Sequence, residues 1–87
     1  MANTSQARKR ARQAIERRAR NFGLRSKVRT YIRRVAHDID QEDKAAAQQS
    51  YREAVKIIDR VVSKGVLPKN TAARHKSRLN ARIRALG

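Results

Sequence analysis

The sequence has no cysteine and no tryptophan, and its 87 residues include only one proline, three glycines, two tyrosines and one phenylalanine. Without cysteine there can be no disulfide, no thiolate nucleophile and no cysteine zinc site, which fits a reducing compartment. So little proline and glycine leaves the chain without the punctuation that strands and hairpins need. With so few rings the core must be aliphatic and, at this length, thin. Tyr31 and Tyr51 are expected in or beside that core; with Phe22 they are too few for a base-stacking platform. No apolar run approaches the ~18 residues of a membrane span, and no signal-peptide core follows the basic start. The Asn3-Thr4-Ser5 sequon therefore reads as a chance match, and the cytoplasm is the expected location.

Catalytic constellations are missing as well. No glycine-rich phosphate loop, nucleophile with its base, or paired buried carboxylate is visible, so no enzyme, cofactor or small-molecule substrate is expected. Asp38, Asp40, Glu42 and Asp43 cluster, but a calcium loop starting at Asp38 needs Gly at its sixth position and Glu at its twelfth. Those positions hold Asp43 and Gln49. Helix capping accounts for the cluster better. His37 and His75 lack partners at metal-ligand spacing, so no metal is expected; His37 reads as a helix-surface residue.

Acid is the other scarcity: seven Asp and Glu face 23 Lys and Arg, a formal +16. A compact chain so charged repels itself unless a polyanion neutralises it, and a phosphate backbone does so with release of counterions. The charge is unevenly spread. Residues 1–34 hold twelve Lys and Arg against one acid, Glu16; residues 35–66 are near neutral; residues 67–87 hold six basic residues and no acid.

Three apolar stripes of helical period run through these blocks. Leu24, Val28, Ile32, Val35 and Ile39, with Tyr31 beside them, recur at steps of three and four. Ala47, Tyr51, Ala54, Val55, Ile58, Val61 and Val62 form a second stripe, and Ala72, Leu79, Ile83 and Leu86 a third. Three such faces on one chain can be buried only against each other, which predicts an all-α three-helix bundle, a single domain with no homo-oligomer needed. Ser5 or Thr4 is expected to cap the first helix and Asp43 the second, with Asp40 and Glu42 near the same dipole end. Gly65 is expected to close the second helix. Pro68 as a first-turn residue or Asn70 as a cap can open the third. The helices are placed at about 5–39, 44–64 and 69–86.

The first helix outruns its partners. At 1.5 Å per residue it spans ~50 Å against ~30 Å for the second. Followed backwards from Leu24 and Val28, the apolar seam lands on Asn21, Arg17, Ala14 and Arg10. Guanidiniums cannot be buried against a thin aliphatic core without a large desolvation cost. Residues 6–22 therefore read as an arm projecting beyond the bundle. Its Arg8, Lys9, Arg10, Arg12, Arg17, Arg18 and Arg20 point to nearly every side of the axis. A cationic helix without a dry face suits burial among phosphates on several sides, as in folded RNA. Arginine, which outnumbers lysine here, can hold phosphate bidentately or stack on a splayed base. The arm is expected to fray in the free protein and order on RNA. A second basic stripe, Arg74, Arg78 and Arg82 flanked by Lys69, Lys76 and Arg84, lies on the third helix, with His75 beside it. Two such surfaces on one rod suit bridging two RNA segments.

Three segments together resemble the bacterial small-subunit ribosomal protein twenty family: Thr30-Tyr31-Ile32-Arg33-Arg34-Val35, Asp43-Lys44-Ala45-Ala46-Ala47-Gln48, and Lys64-Gly65 leading to Lys69-Asn70-Thr71-Ala72-Ala73-Arg74-His75-Lys76-Ser77-Arg78-Leu79. The similarity covers essentially the whole chain in order and spacing, and the third segment is the most specific. Pro68 departs from the pattern. The resemblance implies a three-helix bundle with a long basic first helix that binds small-subunit ribosomal RNA, touching the five-prime domain and the long penultimate stem. It implies RNA contact by Lys69, Asn70, Arg74, His75, Lys76 and Arg78, and by the Arg-rich arm; Arg25, Lys27, Arg29, Arg33 and Arg34, further along the first helix, are expected to join them. The competing class is a histone-like DNA-binding protein. A membrane-active cationic helix is disfavoured because the arm lacks a broad apolar face.

Overall fold

The computed structural model describes residues 3–87, with side chains placed from residue 4 onward. The described residues form α1 (Asn3–Asp40), α2 (Lys44–Ser63) and α3 (Lys69–Ala85), with no strand among them. The rod they make measures 67 × 21 × 14 Å. Its long axis is α1, whose 38 residues reach ~57 Å at 1.5 Å per residue. Thr4 and Ser5, expected as caps, lie inside its first turn, and the sequence ahead of Asn3 is outside the described residues.

The apolar seam of α1 packs as its period dictates. Val28, Val35 and Ile39 are buried, with Leu24, Tyr31 and Ile32 partly covered beside them. From α2 come Ala47, Ala54, Ile58 and Val61, and from α3 Ala72, Leu79 and Ile83. Two buried residues lie outside the three stripes, Ile57 and Val66. The helical step between neighbours is about 100°, so burying Ile57 together with Ile58 takes an apolar arc wider than one stripe. The arrangement supplies the reason: α2 packs against both α1 and α3, whereas α1 and α3 barely meet. Val66 is buried by the turn described next.

Both interhelical corners are closed by backbone geometry. After α2, the Gly65 N–H donates to the Val62 carbonyl at 2.9 Å and the Val66 N–H to the Val61 carbonyl at 3.2 Å. This is the Schellman pattern, with Gly65 at φ 75° and the apolar pair Val61–Val66 packed in one cluster. Pro68 then serves as the N-cap residue itself (φ −61°, ψ 139°), and its carbonyl accepts from the Ala72 N–H at 3.0 Å. Neither expected role is realised there: proline precedes the first turn, and Asn70 sits inside the helix. At the other corner the Glu42 N–H donates to the Ile39 carbonyl and the Asp43 N–H to the Asp38 carbonyl. The Asp43 carboxylate then accepts the Ala46 N–H at 3.1 Å and caps α2.

Here the left-handed position is taken by Glu42, at φ 57°. A side chain in that region costs ~1–2 kcal/mol, while glycine gives back ~0.5–1 kcal/mol through its freer unfolded chain. Glu42→Gly is therefore expected to stabilise the protein by about 0.5 kcal/mol, raising the melting midpoint by roughly 2–4 °C for a domain of this size. A lower midpoint would mean that the Glu42 side chain stabilises the corner in some other way.

The arm, residues 6–22, is helix, continuous with the rest of α1. Its composition of Arg, Ala, Gln, Lys and Glu is rich in strong helix formers. Extending a helix already nucleated by the packed segment adds one hydrogen bond per residue without a new nucleus.

Candidate nucleic-acid interface

The side chains of residues 4–20 are exposed without exception. Arg8, Lys9, Arg10, Arg12, Arg17, Arg18 and Arg20 therefore stand in solvent on all sides of α1. Among the described residues the ion pairs are two, Lys76 Nζ to Asp59 Oδ1 at 2.8 Å and Arg82 Nη2 to Asp40 Oδ1 at 3.6 Å. None of the arm's cations takes part in either. The arm is thus a dense column of positive charge with Glu16 as its one acid. Two large apolar side chains are exposed on it, Ile15 at 66% and Phe22 at 68%. They lie seven residues apart, hence on nearly the same side of the helix.

Where the arm joins the bundle, Asn21 is half-buried, and Arg17, Arg20 and Leu24 share a cleft with Lys64, Gly65 and Val66. Lys64 was not among the candidate binding residues. The Schellman turn carries it to the base of the arm, where three cations converge without a carboxylate in the cleft's lining. Its placement follows from the path of the turn, which residue type alone does not reveal.

Further along α1, Arg25, Arg29 and Arg33 are exposed and four residues apart, which sets them in a row on one side of the helix. They do not point away from α3. Together with His75 they rim a groove of about 350 Å³ between α1 and α3. Its floor is hydrocarbon: Val28, Ile32, Val61 and Leu67. The basic row of α1 thus borders a groove whose α3 wall is His75, while Arg74 and Arg78 stand exposed outside its lining. Lys27 is exposed on α1. Arg34 lies over the ring of Tyr31, 4.7 Å from its centroid, an i to i+3 contact that holds the guanidinium against α1. With Arg33 it also borders a shallow cleft beside His37, Asp38 and Ser50.

On α3, Lys69, Asn70, Arg74, Arg78 and Arg82 are exposed. Two of the candidate cations there are partly committed inside the protein. Lys76 is half-buried, its ammonium on Asp59 and its carbonyl accepting from the Tyr51 hydroxyl at 3.2 Å, so it clamps α3 to α2. Arg82 reaches Asp40 at the end of α1. Exposed pairs of this kind contribute ~0–1 kcal/mol, little enough to be exchanged for a phosphate. Among the described residues no group of three or more His, Cys, Asp or Glu could hold a metal ion, and no helix is long and apolar enough to cross a membrane.

The family model described as ribosomal protein S20 matches residues 2–84. The small ribosomal subunit protein bS20 of Nitrosococcus oceani is 59% identical over 86 residues, 99% of this chain and 99% of its own length. The protein of that name from Azotobacter vinelandii is 56% identical over 87 residues, covering 100% of this chain and 96% of its own. Its counterpart in Nitrosomonas europaea is 54% identical over 87 residues, 100% of both chains.

Proposed function

Because the chain belongs to the ribosomal protein S20 family, we propose that it is a structural component of the small ribosomal subunit that binds small-subunit ribosomal RNA directly and joins RNA segments during assembly. It is not an enzyme, and it works in the cytoplasm, inside the ribosome. The observation that carries this reading is the arm: a helix with cations on every side, exposed throughout and without an ion pair among the described residues. Such a helix is electrostatically incomplete alone and is completed by phosphates around it. The contacts we assign to the RNA are Arg8, Lys9, Arg10, Arg12, Arg17, Arg18 and Arg20 on the arm, Arg25, Lys27, Arg29, Arg33 and Arg34 on the packed part of α1, and Lys69, Asn70, Arg74, His75, Lys76, Arg78 and Arg82 from α3. A rod 67 Å long with cations at both ends of that span can touch RNA segments that a compact protein of this mass could not reach together.

Competition at fixed salt tests the reading. Small-subunit ribosomal RNA is expected to outcompete duplex DNA of equal length, and log K is expected to fall linearly with log[salt] by ~0.7–0.9 per neutralised phosphate. The protein is also expected to co-sediment with purified small subunits from its own cells. Equal competition by duplex DNA would favour a histone-like role, and absence from the subunits would remove the ribosomal one.

A further inference from the structure

The groove between α1 and α3 combines two features that do not serve the bundle. Its floor leaves apolar side chains incompletely covered: Ile32 and Leu67 are only partly buried, and they line the space between α1 and α3, the helix pair that packs least closely. Its rim brings Arg25, Arg29 and Arg33 together with no acid among the groove's lining residues. A groove meant only to close the core would be filled by hydrocarbon from α3. A site for a free anion would not need an apolar floor.

We propose that this groove is a pocket for one unpaired nucleobase of the bound RNA, its flanking phosphates held by Arg25, Arg29 and Arg33. The proposal rests on the RNA-binding reading above. A paired and stacked base offers a protein its edges only, whereas a splayed base offers a flat apolar face. That face matches the open surfaces of Ile32 and Leu67, which lie over the buried Val28 and Val61. The three arginines repeat every ~6 Å along α1, comparable to the step between successive phosphates of an opened strand. His75 on the α3 wall supplies ring nitrogens that can hydrogen-bond a base edge. At about 350 Å³ the groove is at the small end of the ~300–1,000 Å³ range of ligand clefts, so it suits a single base and not a run of them. This contact would be specific for an RNA bulge, loop or junction, where the arm's phosphate contacts carry no sequence information.

Two replacements test it by filling the groove from different elements without changing the number of lysines and arginines: Leu67→Trp from the α2–α3 loop and His75→Trp from α3. Each full-length variant is first checked by thermal melting, then bound to a small-subunit ribosomal RNA transcript with no other protein present. Each is expected to bind about tenfold more weakly than wild type, with an unchanged salt slope. Dimethyl sulfate is expected to regain access to one unpaired nucleotide that the wild-type protein shields. Irradiating the wild-type complex, which needs no substitution, is expected to join that nucleotide to a peptide containing Leu67 or His75. Folded variants with wild-type affinity and shielding overturn the pocket, and so does a loss of affinity with every nucleotide still shielded as in wild type, because then only phosphates are released. Crosslinks confined to the arm overturn it too, and leave an apolar side chain of a neighbouring protein as the occupant. If wild-type protein shows no preference for this RNA over duplex DNA, the RNA-binding reading itself fails; wild-type preference with a groove-independent footprint sinks the pocket alone.

Discussion

Ile58→Asp is expected to unfold the bundle at 25 °C. Ile58 is 0% exposed and packs in the cluster with Val28, Ile57, Val61, Val66 and Ala72. Removing its hydrocarbon leaves a cavity, and truncations of that kind cost ~2–5 kcal/mol. The introduced carboxylate then enters a cluster whose other buried members all have hydrocarbon side chains. Burying an unpaired polar or charged group adds several kcal/mol more. A domain of this length has only about 4–13 kcal/mol to lose, so the two costs together meet or exceed it. RNA binding cannot offset them: ligand at a thousandfold excess over Kd adds only ~4 kcal/mol. The measurement is far-UV circular dichroism, in which the helical signal should collapse. Ile58→Val is the control and should melt cooperatively, about 0.5–1.5 kcal/mol less stable than wild type. A folded Ile58→Asp protein would mean that α2 can rotate to expose this face, and the core assignment would then be wrong.

How much of this was legible beforehand differs from element to element. The three helices followed from apolar periodicity, because a stripe needing burial is written directly in residue spacing. Asp43 and Gly65 were legible as caps for the same local reason: each acts within a few residues of itself. Glu42 was not, since a left-handed residue normally announces itself as glycine or asparagine. Its conformation is imposed by the need to turn within two residues of α1 and hand Asp43 to α2. Ile57 escaped because its burial depends on α3 returning across a second face of α2, and Val66 because the turn after α2 folds it back onto Val61. The candidate site divides in the same way. That the arm stands clear of the core could be read from the seam turning from Leu24 and Val28 into Arg17 and Arg10. The groove rimmed by Arg25, Arg29, Arg33 and His75 could not, since it exists only once α1 and α3 are set side by side. Nor could the Lys76–Asp59 pair, formed across seventeen residues of sequence.

Arg17→Glu combined with Arg20→Glu separates the arm's two properties, and the expected result is a large loss of RNA affinity with no loss of fold. Both side chains are exposed and neither takes part in an ion pair. Across the cleft they face Lys64 and along the helix they border Glu16, so reversing their sign gains an attraction at the first and a repulsion at the second, and the two largely offset. The melting midpoint should therefore stay level, within what an exposed pair contributes, ~0–1 kcal/mol. On RNA the sign is the opposite. Each arginine lost from a phosphate removes a charge-assisted hydrogen bond, typically ~1.5–3 kcal/mol, and each glutamate adds repulsion. Two positions together should weaken binding at least about a hundredfold and reduce the salt slope by about 2. Arg17→Gln with Arg20→Gln should show the same slope with a smaller loss, which isolates the missing contacts from the added repulsion. Unfolding of the double glutamate variant would place these residues in the core, against their exposure. Unchanged affinity with the fold intact would instead move the RNA off the arm, leaving α3 and the α1–α3 groove to hold it.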